Sequence, residues 1–122
     1  MAHAADMNSA RLTKIDIATA NMEAMVKFYT EVFGLTFAEA VFDQHKHYHC
    51  KLGELEFGLA PNEPAQVSAK AEGVHQFHLR LANLDALITR AKKFGIAATA
   101  NHGEVFLCDP DGHPWMMSSD SR

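Results

Sequence analysis

The chain repeats itself, and this restricts its fold more than any other feature. The stretch Ile15–Lys27, IDIATANMEAMVK, returns 62 residues later as FHLRLANLDALIT, starting at Phe77. Ile17 falls on Leu79, and Ala20-Asn21 on Ala82-Asn83. Met22, Ala24, Met25 and Val26 fall on Leu84, Ala86, Leu87 and Ile88. After one deletion, Phe33-Gly34-Leu35 falls on Phe94-Gly95-Ile96. Two copies are too few for a solenoid, so the repeat defines a duplicated supersecondary unit.

Each copy opens with an alternating strand, at 14–19 and 76–81. Asn21 and Asn83 stand where helix N-caps belong. Met22, Met25, Val26 and Tyr29 then recur at i, i+3, i+4 and i+7, as do Leu84, Leu87, Ile88 and Ala91, so both helices bury one apolar stripe. Gly34 and Gly95 stand where glycines end helices. Strand-like runs follow at 36–42, 48–52 and 55–60, with turns near Asp43-Gln44 and Gly53. In the second copy they lie at 97–100, 105–108 and 114–118, with turns at Asn101–Gly103 and Asp109–Gly112. The fold class is α+β, two βαβββ modules in one chain. Residues 1–11 read as a flexible tail and 12–118 as one domain. Within it, module one spans 12–60, the linker 61–73 and module two 74–118.

Charge and cysteine content then exclude several functions. Eleven Lys and Arg against fifteen Asp and Glu leave a net charge of −4. No basic run offers a footprint for nucleic acid or an anionic membrane. No apolar stretch approaches the ~20 residues of a membrane helix. The N-terminal residues lack an apolar signal core, which points to the cytoplasm. Cys50 and Cys108 form no CxxC pair, and both read as buried, reduced strand thiols, with no neighbour to lower their pKa.

The duplicated unit, the segment MVKFYTEVFGLTF (Met25–Phe37) and the DPDG turn before the last strand together resemble the vicinal oxygen chelate superfamily. That group includes glyoxalase I, bleomycin resistance proteins, fosfomycin resistance enzymes and extradiol dioxygenases. The resemblance implies a cupped mixed sheet with helices on its convex side, a homodimer, and in many members a metal in the cup. It is specific for fold and weak for reaction, because one fold carries many chemistries. It places the metal-ligand corners at Lys14 on the first strand, Gln76 on the fifth, Met116 four residues past Gly112, and Phe57 four past Gly53. Lysine repels a cation, Phe57 has no donor atom, Gln76 offers one neutral oxygen, and Met116 is a soft thioether. That set does not suit a hard divalent ion. No cofactor is expected at the family position.

If Lys14 faces the cup, alternation turns Asp16 inward as well, and Gln76 brings His78 and Arg80 with it. Such a row is either a charge-paired patch between modules or the polar anchor of an otherwise apolar pocket. The expected ligand-binding set is Lys14, Asp16, Phe57, Gln76, His78, Arg80 and Met116, with Trp115 and Met117 as further candidates for walls. Arg80 suits a carboxylate or phosphate. His78 and Asp16 are the candidate acid–base pair. A second histidine cluster, His45, His47 and His49, shares one strand face. With Glu54, Glu56 or His78 it could form a displaced metal site, and a one-residue slip would bring in His75. His3, His102 and His113 read as tail and turn polars. The leading reading is a metal-free module binding a small, partly apolar ligand with an anionic group. The alternatives are a metal-dependent glyoxalase-like lyase, isomerase or dioxygenase using the histidines, and a metal-free acid–base enzyme.

Overall fold

The computed structural model describes residues 8, 10–42, 44–61, 75–101 and 103–119, without the side chains of 42 and 99–101. Most of the expected tail and linker, His3 and His102 lie outside the described residues.

The element order is β1 (Lys14–Thr19), α1 (Met22–Glu31), β2 (Ala38–Phe42), β3 (His45–Leu52) and β4 (Leu55–Pro61). The second copy repeats it as β5 (Phe77–Leu81), α2 (Leu84–Phe94), β6 (Thr99–Asn101), β7 (Glu104–Cys108) and β8 (Pro114–Ser119). The sheets run β1-β4-β3-β2 and β5-β8-β7-β6. In each, the first strand lies parallel to the last, and the other pairs are antiparallel. This is the duplicated βαβββ architecture expected from the repeat, a two-module cupped sheet with helices on one side. β3 begins three residues earlier than the apolar pattern indicates, at His45, directly after Gln44 at φ 67°. Hence the whole His45–His49 run is strand.

The two caps differ for a physical reason. Asn83 Oδ1 accepts from the Ala86 amide at 3.0 Å and caps α2. Asn21 caps no amide of α1; its Nδ2 donates to Asp111 Oδ1 at 2.9 Å, in the other module. Thr19 Oγ1 donates to Asp111 Oδ2 at 2.6 Å. Arg90 Nε, on α2, donates to the Val32 carbonyl at the end of α1 at 2.8 Å.

One core serves both modules. Ile17, Met25, Phe28, Tyr29, Val32, Phe57 and Leu59 from the first pack with Leu87, Ala91, Val105, Leu107, Trp115 and Met117 from the second. Tyr29 and Trp115 meet edge-on with ring centroids 6.0 Å apart. The DPDGHPW turn closes this core. Asp109 has no exposed side-chain surface. It accepts from Tyr29 Oη at 2.5 Å, from His113 Nδ1 at 2.8 Å, and from the amides of Asp111 and His113 at 3.0 and 2.9 Å. Trp115 Nε1 donates to Tyr29 Oη at 2.9 Å. Gly112, at φ 91°, lets its amide return to the Asp109 carbonyl.

Burial, and next the adjacent Asp109 carboxylate, push the Tyr29 hydroxyl pKa far above the ordinary tyrosine value. Because the folded state holds this proton more tightly than the unfolded chain, the stabilisation is complete below about pH 10 and declines as pH rises beyond it. Tyr29 is therefore expected to stay protonated until alkaline unfolding. Absorbance of Tyr48→Phe at alkaline pH, followed beside circular dichroism, checks this: a phenolate appearing before loss of structure contradicts it.

Candidate functional site

Strand register assigns each side chain to a face. On β1, Ile15 and Ile17 turn toward the helices, and Lys14 and Asp16 turn away. On β5, Phe77, Leu79 and Leu81 pack on the core side, and His78 and Arg80 are exposed. The alternation at Gln76–Arg80 therefore follows the expected register. His75, exposed, precedes the strand.

The face away from the helices is chemically different in the two sheets. On the first, Asp16, Gly58, His49 and Ala38 form one row across β1, β4, β3 and β2; beyond it Ala18 pairs with Ala60, and His47 with Ala40. Lys14, Glu56 and Lys51 make a third row. Lys14 Nζ lies 3.6 Å from Asp16 Oδ2, and His49 Nδ1 lies 3.5 Å from Glu56 Oε2. On the second sheet, His78, Met116 and Phe106 share a row, and Arg80, Ser118 and Glu104 share the next. One sheet thus offers carboxylates and imidazoles on a floor of small residues. The other offers a cation and an imidazole beside a thioether and an aromatic ring.

The structure overturns some of the expected wall residues. Phe57 pairs with Ile15, not Lys14, and is fully buried against Tyr29, Phe37 and Trp115. Trp115 and Met117 are likewise core residues, while Met116 is half-buried on the open face. The residue beside Lys14 is Glu56. Counting four residues past each glycine fails because the turn after Gly53 is one residue longer: Phe57, four past Gly53, pairs with Ile15 as Trp115, three past Gly112, pairs with Phe77. The alternation Leu55-Phe57-Leu59 already carried the correct face. Cys108 is also a correction: it is exposed at the end of β7 opposite Pro114, on the open face. Cys50 is half-buried, and burial, with the Glu56 carboxylate second, raises its thiol pKa, which keeps it in the unreactive thiol form.

His45, His47 and His49 share the open face of β3. Among the described residues, no group of three His, Cys, Asp or Glu side chains is arranged to hold a metal ion. The corners Lys14, Gln76 and Met116, with Gly58 as the first-module counterpart of Met116, supply no carboxylate or imidazole and do not fit a hard divalent cation. Asp16 pairs with Lys14, and His78, in the other sheet, has no carboxylate within ion-pair distance among the described residues. A cleft of about 700 Å³ lies on the helix side, between α1 and β3, lined by Met22, Val26, Tyr48 and Pro61. Its charged rim residues alternate in sign, and Lys46 is held by Glu39 at 3.7 Å, so no polar groups converge there. Among the described residues no helix is long and apolar enough to cross a membrane.

Duplicated modules, a shared core and open sheet faces define a paired βαβββ fold. Residues 11–117 match the Glyoxalase/Bleomycin resistance protein/Dioxygenase superfamily, and the chain belongs to that family. No curated protein sequence matches it. Among solved structures it is similar to lactoylglutathione lyase from Agrobacterium tumefaciens, at 20% identity and TM-score 0.68, covering 91% of this chain and 94% of that one. It is similar to TnmS3, an antibiotic binding protein from Streptomyces sp. CB03234, at 18% identity and TM-score 0.68, covering 92% and 97%. It is also similar to the fosfomycin resistance protein FosX from Listeria monocytogenes, at 12% identity and TM-score 0.69, covering 90% of each chain. At these identities the likeness is one of fold.

Proposed function

We propose that the protein binds a small, partly apolar ligand carrying an anionic group, and does so without a metal at the family position. The observation that carries this reading is the open face of the second sheet, where exposed His78 and Arg80 stand beside half-buried Met116 and Phe106. A few placed polar groups on an apolar wall are what orient a small molecule. Arg80 suits a carboxylate or phosphate through two parallel N–H donors. An antibiotic binding protein among the structural neighbours supports binding as the role.

A second copy of the chain completes the cup in this reading. β1 and β5 are both sheet edges, and open edges favour pairing with another strand. The wall of Lys14, Asp16 and His49 then faces a wall of Arg80 and Met116.

The test is thermal stabilisation of chelator-treated, untagged protein by a panel of aromatic carboxylates. We expect concentration-dependent stabilisation of the wild type, and binding at least about tenfold weaker in Arg80→Ala, the loss of one charge-assisted contact. Sedimentation should show a dimer. Near-stoichiometric Mn, Fe, Ni or Zn in the purified protein, lost in His49→Ala, favours instead a metal-dependent lyase, isomerase or dioxygenase.

A further inference from the structure

Gly58 sits in the middle of β4, where a glycine weakens a strand and marks a close approach. Its backbone is outside the left-handed region, so conformation does not require it. Space does. A Cβ at this position collides with Asp16 Oδ1 and stands 3.3 Å from the Tyr48 carbonyl. The missing side chain lets the Asp16 carboxylate lie across β4, toward His49, the partner of Gly58 on β3. On its other flank His49 Nδ1 meets Glu56 Oε2 at 3.5 Å. Ala18, Ala38 and Ala60 leave the surrounding floor low. The other charged or titratable groups on this face are Lys14, His45, His47 and Lys51.

We propose that this is a proton-transfer site, in which His49 is the general base for a weakly acidic hydroxyl of a ligand seated over Gly58. This rests on the ligand-binding reading and assigns the acid–base role to His49 rather than to His78 with Asp16. Glu56 is a positioning residue: it takes the Nδ1 side of the ring and leaves Nε2 for the ligand. The O–H bond breaks, its electron pair stays on oxygen, and an Nε2–H bond forms. The imidazolium is stabilised by Glu56, and the anion stays within reach of the cationic wall. Asp16, held by Lys14, borders the seat and limits what fits there. Among the described residues His78 has no comparable carboxylate to orient it.

The probe is 4-nitrophenol, whose absorption moves to longer wavelength when it loses its proton. At mildly acidic pH, where the free phenol is mostly protonated, wild-type protein is expected to raise the phenolate band on binding. His49→Gln should abolish that rise. Glu56→Gln should reduce it severalfold, and Gly58→Ala, which displaces Asp16 without changing charge, should weaken binding by about tenfold. Calorimetry measures binding independently, and circular dichroism confirms folding; if Gly58→Ala does not fold, the His49 and Glu56 variants decide. Absence of probe binding, or binding without the phenolate band in the wild type, overturns the proposal. So does a band that survives His49→Gln and vanishes in Arg80→Ala, since the anion is then held by Arg80 alone. That result leaves the ligand-binding reading standing, whereas failure of both 4-nitrophenol and the aromatic carboxylates to bind removes both.

Discussion

Asp109→Ala is expected to lower the free energy of unfolding by about 3–5 kcal/mol, the range for breaking a buried charged network by removing one partner. The size follows from what the carboxylate holds. Its two oxygens receive Tyr29 Oη, His113 Nδ1 and two backbone amides, and the side chain is wholly buried. Without it, four donors lose their acceptor at once, and an unsatisfied buried donor keeps its full desolvation cost. Trp115 also loses order, because its indole N–H donates to the same tyrosine hydroxyl. Asp109→Asn keeps the shape but brings donors of its own, and is expected to recover only part of the loss. Tyr29→Phe should cost less, about 1–3 kcal/mol, and should remove the alkaline decline of stability. Urea unfolding monitored by Trp115 fluorescence measures all three. A loss below about 1 kcal/mol in Asp109→Ala means the turn is not what fastens the modules.

Phe57→Ala is expected to cost a comparable ~3–5 kcal/mol, the usual range for truncating a buried aromatic residue. The ring is fully buried and touches Tyr29, Phe37 and Trp115, so both modules lose packing around one cavity. Its neighbour gives the opposite result: Glu56→Gln lies on the open face and should leave stability nearly unchanged, in line with the small value of exposed ion pairs. Ligand affinity of the folded Phe57→Ala fraction should match the wild type. If Phe57→Ala instead abolishes binding while the unfolding midpoint holds, Phe57 faces the ligand and the register of β4 is wrong.

DPDGHPW was legible as a turn before the last strand, and His113 as a polar residue near it. That Asp109 is the hub of a buried network was not, because its partner Tyr29 lies 80 residues away. The same distance hid the second role of Asn21. Its place before a helix reads as a cap, yet Asp111 from the other module competes for the amide and wins. Lys14, Asp16, His78, Arg80 and Met116 were assigned to the open face correctly, because strand alternation is a local property. Phe57 was misplaced because a turn length was borrowed from the other copy instead of counting alternation within β4.

By itself the sequence determined two βαβββ units, the helix stripes and the exposed face of each first strand. These follow from periodicity and side-chain chemistry over a few residues, where the backbone leaves little choice. Tertiary structure alone decided that Glu56 rather than Phe57 stands beside Lys14, that Gly58 makes room for Asp16 opposite His49, and that Asp109 joins Tyr29, His113 and Trp115. Each depends on which strands become neighbours and in what register, a choice made by burial of the shared core and not by any local stretch.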